Sequence, residues 1–167
     1  GGSVPIGTAR TLFDTQLTVE GIATMYTGGY YAGSGGKFYL ADETGGIQVY
    51  LSGSAGGGEL QVPLCARVRA SGELTRYRGA LELIPSSMDD IEVLGSPSAD
   101  SCLLPDQASI QQAASDMQTL PGRLIQVQGT VARVEEFSYS YEMDILNDEG
   151  QLLTLYIDKE TGINVET

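Results

Sequence analysis

The stretch FYLADETGGIQVYL, Phe38–Leu51, reads as two short strands closed by an acidic turn that ends in glycine. It decides the fold because the chain repeats it. Its counterpart is YEMDILNDEGQLLTLYI, Tyr141–Ile157, with the same succession of strand, acidic turn, glycine and strand. A strand pattern carrying a glycine precedes each copy: VEGIAT at Val19–Thr24 and VQGTVA at Val127–Ala132. Self-similarity of this kind sets the architecture before any site can be argued.

Asp42-Glu43-Thr44-Gly45 has the residue types that close a hairpin, so Phe38–Ala41 and Gly46–Leu51 pair. Upstream, Leu17, Val19, Ile22 and Met25 give residues 16–27 a strand pattern, with Gly21 placed where a strand can bend. Downstream, a Gly-rich loop at 52–58 leads into a long strand over Cys65–Thr75, where Ala66, Val68 and Ala70 alternate with Arg67 and Arg69. Ala80–Ile84 follows the turn Tyr77-Arg78-Gly79, and Ile91–Leu94 closes the unit. The second copy supplies Leu124–Val134, Tyr139–Leu146 and Leu152–Ile157, with Ile163–Glu166 as the start of one more short strand. Between the copies, PDQASIQQAASDMQ at Pro105–Gln118 reads as a short helix with Ile110, Ala113, Ala114 and Met117 on one face. The organisation is therefore an N-terminal extension at 1–14, with Ile6–Leu12 as its lead-in, a first barrel at 15–95, a linker with a short helix at 96–121 and a second, partial unit at 122–167.

Five strands with a bent first strand and a central hairpin are the order of a small Greek-key barrel. The chain resembles the OB-fold domains of bacterial secreted and surface proteins, on the residues Asp42–Ile47 (DETGGI) and Gly72–Leu83 (GELTRYRGALEL). The resemblance implies an all-β protein: a five-stranded OB-fold-like barrel followed by a second, incomplete OB-like β unit, joined by a short helix. It also implies a binding face on the central strands and the loops at one end of the barrel. On that map the candidate ligand-binding residues are Tyr26, Tyr30, Tyr31, Lys37, Tyr39, Tyr50, Arg76, Tyr77 and Arg78. Aromatic rings interleaved with cations suit a single strand, since bases stack on the rings and cations follow the phosphates. The same tyrosines equally suit cross-strand packing or a protein contact.

Composition narrows the chemistry. There is no His and no Trp among the 167 residues, which removes His-based acid–base catalysis, His triads and His metal ligation. No nucleophile–base pair, phosphate loop or dinucleotide motif assembles, so the chain reads as non-enzymatic, with no cofactor. The acidic pairs Asp42-Glu43, Asp89-Asp90, Asp148-Glu149 and Asp158 with Glu160 lack the EF-hand pattern; Asp42 and Asp148 are read as hairpin-turn residues, no metal site is assigned, and Ca²⁺ has no preferred loop. The net charge of −13 is concentrated in residues 96–167, with twelve acids against three bases. That charge weighs against nucleic acid as a partner. Cys65 and Cys102 are compatible with one disulfide or with two buried thiols. No apolar run reaches transmembrane length. The opening Gly1 without Met reads as a processed or excised chain.

A barrel lacking its fourth and fifth strands exposes sheet edges. The expectation drawn from this is an extracellular or cell-surface structural protein that self-associates into oligomers or filaments by strand addition. Val127, Val131, Ile145, Leu153, Leu155, Ile163 and Val165 would be the contact residues. The alternative is an OB-fold binding module for single-stranded nucleic acid or an oligosaccharide.

Overall fold

The first strand of the chain serves two neighbours in succession. In the computed structural model, which describes residues 2–95 and 97–166, β1 (Gln16–Met25) pairs along Gln16–Ile22 with β4 (Arg67–Tyr77). From Ile22 to Met25 it pairs instead with β2 (Gly36–Asp42). Gly21 stands at the change of partner. A Cβ there would lie 2.7 Å from the Ala41 carbonyl oxygen and 3.1 Å from Ile6 Cδ1, so only glycine fits. The hairpin from β2 to β3 (Gly45–Leu51) is antiparallel, β3 runs parallel to β5 (Ala80–Ile84), and β5 returns antiparallel to β4. The order β1-β2-β3-β5-β4 closes on itself through β1 and β4, which is the OB fold. β6 (Ile91–Val93) extends the sheet alongside β4.

Alternation fills the barrel. Phe38, Leu40, Ile47, Val49, Leu51, Val68, Leu74 and Leu83 are fully buried. The segment expected as an extension is part of this core: Ile6 and Ala9 of α1 (Ile6–Ala9) are completely covered. The hairpin holds that short helix. Asp42 Oδ2 accepts from the Ile6 N–H at 2.9 Å and Thr44 Oγ1 from the Gly7 N–H at 2.8 Å. Asp42 Oδ1 meanwhile accepts from the Thr44 and Gly45 N–H groups, so one carboxylate both shapes the turn and caps the helix.

The connector carries β7 (Asp106–Gln107) and α2 (Ile110–Ser115), whose Ser109 and Gln112 form a capping box. The expected strand Leu124–Val134 is in fact two. β8 (Ile125–Gln126) pairs in parallel with β7, and β9 (Thr130–Glu136) joins the next hairpin. The break falls at Gly129, where a Cβ would lie 2.6 Å from Ile110 Cδ1 and 2.9 Å from the Leu146 carbonyl oxygen. β10 (Ser140–Leu146) and β11 (Leu152–Asp158) complete an antiparallel sheet in the order β11-β10-β9. Its turn is built by Asn147, whose Oδ1 accepts from the Glu149 and Gln151 N–H groups. Asn147, rather than the neighbouring Asp148, is thus the turn-former between β10 and β11. No strand forms over Ile163–Glu166; a helical turn at Lys159–Thr161 and Gly162 at φ 73° redirect the chain.

One packing contact occurs twice in the chain. Ile6 of a short helix seats on Gly21 of the first strand, and Ile110 of a short helix seats on Gly129. This corrects the place given to Ile145 on an open edge. Ile145 is 5% exposed because Ile110 and the Gly129 backbone cover it.

Cys65 and Cys102 are joined in a disulfide across a sequence separation of 37. It ties the entry to β4 to the connector. No helix among the described residues is long and apolar enough to cross a membrane.

Candidate nucleic-acid interface

The outward positions of β2, β3 and β5 form one polar surface because their registers align. Lys37 is opposite Tyr50, Tyr39 is opposite Gln48, and Gln48 is opposite Glu82. Tyr39 Oη donates to Gln48 Oε1 at 3.0 Å, and Gln48 Nε2 donates to Glu82 Oε1. At one end of this surface, the β1–β2 loop and the β4–β5 turn rise around a cleft of about 400 Å³. Tyr31, Lys37, Tyr50, Tyr77, Arg78 and Glu82 line it. Tyr31 and Tyr77 are 69% and 55% exposed, which leaves ring surface open to a ligand. Arg78 lies 5.2 Å from the Tyr77 ring centre and Lys37 Nζ 5.3 Å from that of Tyr30. Arg78 has φ 49°, a left-handed conformation that the tight turn into Gly79 imposes.

Glu82 is the buried charge of this surface, at 5% exposure. Burial pushes its carboxyl above the ordinary glutamate range, and Lys37 and the Gln48 amide pull it partly back. A raised carboxyl in the fold means the folded state holds its proton more tightly than the unfolded chain. Stability from this group is then greatest below the ordinary glutamate range and falls as pH rises through the folded value. Glu82→Gln removes that fall. Urea midpoints of the variant and the wild type should converge near about pH 4 and separate toward about pH 7, with the variant higher. A variant less stable than the wild type at the upper pH overturns this.

Tyr30 and Tyr39 turn elsewhere. Their rings stack with centroids 6.0 Å apart and border a second groove, of about 470 Å³, between the barrel and the second unit. Arg123, Tyr156, Ile157 and Ile163 form its opposite wall. Burial drives the Tyr30 hydroxyl well above its usual range, and Tyr30 Oη has no hydrogen-bond partner among the described residues. The two units are linked at this point: Asp158 Oδ2 accepts from the Tyr31 N–H at 3.0 Å, which fixes the loop that carries one stacking ring.

Four of the nine expected residues are not brought to the cleft: Tyr30 and Tyr39, which border the second groove, and Arg76 and Tyr26. Arg76 stands 5.2 Å over the Phe13 ring, away from the cleft and toward the segment that follows α1. Strand alternation explains this, since Arg76 precedes the turn that carries Tyr77 and Arg78 to the cleft. Tyr26 folds over Gly29, where an added Cβ would lie 2.9 Å from its Cζ. Of the expected association residues, Val131 is 53% exposed, while Val127, Leu153, Leu155 and Val165 are half-buried. Ile163 faces the groove with the barrel and not a free edge. Gln48 and Glu82 lie outside the expected set, and Asp158, weighed in the sequence only as one of an acidic pair with Glu160, instead holds the Tyr31 N–H. The signal for the first two was a polar residue interrupting an apolar strand, in IQVYL and ALELI. Among the described residues, no group of three or more His, Cys, Asp or Glu side chains is arranged to hold a metal ion.

No protein-family model matches the chain. The chain is 28% identical over 166 residues to Endonuclease YhcR of Bacillus subtilis (strain 168), an alignment that covers 96% of this chain and 13% of that protein. The non-enzymatic reading is overturned by this likeness, because the relative is an endonuclease. Among solved structures, the chain is similar to the hypothetical protein ygiW from E. coli, at 19% identity and TM-score 0.42 over 56% of this chain and 91% of that one. It is also similar to the second OB-fold domain of replication protein A from Methanococcus maripaludis, at 17% identity and TM-score 0.39 over 52% of this chain and 90% of that one.

Proposed function

We propose that this chain is a single-strand nucleic-acid-binding OB module that serves nuclease chemistry. The observation that carries the reading is the cleft: Tyr31, Tyr50 and Tyr77 surround one opening on the β2-β3-β5 face, with Lys37 and Arg78 beside them. Rings for bases and cations for phosphates are the two parts such a platform requires. The likeness to an endonuclease supports the same reading, and the cleavage activity of that longer protein is part of the proposal for this chain.

The net charge of −13 argues for a local rather than a global attraction. Two cations at the cleft would release few counterions. The slope of log K against log salt should be about −1.4 for a single strand contacted by two cations. Fluorescence anisotropy of a labelled oligodeoxynucleotide across a salt series measures it. Binding of the single strand with this shallow slope, and not of an oligosaccharide, is the expected result. Absence of single-strand binding at low salt overturns the reading.

The proposal includes a location outside the cytoplasm, in a secreted or surface protein of bacterial type. The Cys65–Cys102 bond supports this, since disulfides persist in oxidising compartments. In the same proposal, residues 15–95 and 122–167 are a full and a shortened copy of one unit. Self-association by strand addition is a second reading, favoured by the order β11-β10-β9, which leaves β9 and β11 as edges. Sedimentation of a monomer at micromolar concentration would remove it.

A further inference from the structure

Glu82 is out of place in a site that binds polyanions. It lines the cleft, it is buried, and its presence weakens any attraction of a phosphate to Lys37 or Arg78. A carboxylate offers about four acceptor positions. Among the described residues, one is filled: Gln48 Nε2 donates to Oε1. No side chain in the chain forms an ion pair with Glu82 among the described residues; the ion pairs of the barrel are those of Glu20 with Arg67 and Arg69 and of Glu92 with Arg69, on the β1-β4-β6 side. A buried carboxylate with unfilled acceptor capacity is costly unless a ligand supplies donors.

The surroundings restrict what that ligand group can be. Tyr31, Tyr50 and Tyr77 provide flat apolar walls, which suits a planar heterocycle. Gln48 is held on both sides, accepting from Tyr39 and donating to Glu82, so the Glu82 side chain is fixed in orientation. Fixed orientation is what base discrimination needs. A carboxylate accepts from an exocyclic amino group such as cytosine N4, whereas the thymine edge presents the O4 acceptor in the same position.

We propose that Glu82, oriented by Gln48, reads the base held in the cleft and selects an amino-bearing base over thymine or uracil. This rests on the single-strand binding reading above and adds specificity to it. Glu82 touches the base; Gln48 is a positioning residue.

The test compares fluorescein-labelled oligo-dC and oligo-dT of equal length at neutral pH and fixed salt. Both are pyrimidine strands, so the ratio of their affinities isolates the edge contact. The wild type should prefer oligo-dC by about 5- to 150-fold, the discrimination of one well-placed base contact. Glu82→Gln removes a negative charge, so its affinity for oligo-dT should hold or rise, while the dC:dT ratio falls toward one. Tyr77→Ala, an exposed position, should weaken both strands and leave the ratio intact. Equal wild-type affinities, or a preference for oligo-dT, overturn the inference without any variant and leave single-strand binding standing. A ratio unchanged in a folded Glu82→Gln protein overturns it as well. Failure of both strands to bind overturns the binding reading itself.

Discussion

Ile6→Ala is expected to destabilise the barrel by about 2–5 kcal/mol, the range for removing a fully buried aliphatic side chain that leaves a cavity. Ile6 is 0% exposed and sits in the core cluster with Val19, Phe38 and Ile47. It is also the anchor of a helix of four residues, far too short to persist by itself. The Asp42 and Thr44 bonds to its first N–H groups orient that helix, but they satisfy polar groups and bury no apolar surface. The loss should therefore fall near the upper part of the range, because the helix has no second apolar anchor of comparable size; Ala9 is its other covered residue. Ile6→Val, which removes one methylene, should cost about 0.5–1.5 kcal/mol. Urea unfolding followed by far-ultraviolet circular dichroism measures both. A loss below about 1 kcal/mol for the alanine variant would mean that α1 rests on the barrel without completing it. Ile110→Ala makes the same test of the second unit. Its effect should appear as lost hydrogen-exchange protection in β9–β11, with the barrel amides unchanged, since Ile110 covers Gly129 and Ile145.

The barrel was legible in the sequence because its signals are local. Alternation in β2, β3 and β4 and the Asp42–Gly45 turn each declare themselves within a few residues, and together they admit one closure. What was not legible depends on packing between distant segments. Ile6–Ala9 shows no helical periodicity in four residues, and only its burial against Gly21 explains it. The split of Leu124–Val134 arises where α2 presses on Gly129; the glycine marks a bend in VQGTVA, but the helix that breaks the strand there lies in another segment. The site divides along the same line. Tyr31, Lys37, Tyr50, Tyr77 and Arg78 follow from mapping rings and cations onto one face of the fold. Arg76 departs from that face through strand alternation, and Tyr30 and Tyr39 are diverted toward the groove because the second unit docks there. Glu82 shows in the sequence only as a polar residue interrupting ALELI; the parallel register that sets it beside Gln48 is what makes it a site residue.

That docking can be tested at a single atom. Gly46→Ala should detach the segment around Gly122 from the barrel. A Cβ on Gly46 would lie 2.0 Å from the Gly122 carbonyl oxygen, 2.4 Å from its carbonyl carbon and 2.8 Å from the Arg123 nitrogen. All three are backbone atoms, so no rotamer change relieves the clash, and Gly122 already holds φ 86°. Within β3, opposite Ala41, the substitution carries no penalty of its own, because glycine loses more conformational freedom in a strand than alanine does. The cost therefore falls on the junction, at about 3 kcal/mol or more given the upper range for overpacking against an unyielding neighbour. The contacts that accompany the junction should go with it. Arg10 Nη1 donates to the Gly46 carbonyl at 2.8 Å, and Arg123 Nη2 donates to the Glu43 carbonyl at 3.4 Å. Arg123 also borders the groove that holds Tyr30 and Tyr39. Two separated unfolding transitions and protease cleavage between residues 118 and 124 are the expected outcome. With the second unit released, Asp158 no longer fixes the Tyr31 N–H, and single-strand affinity should fall even though no cleft residue has changed. One cooperative transition with wild-type affinity would mean that the barrel and the second unit do not depend on this contact, and that the cleft is complete within the first unit alone.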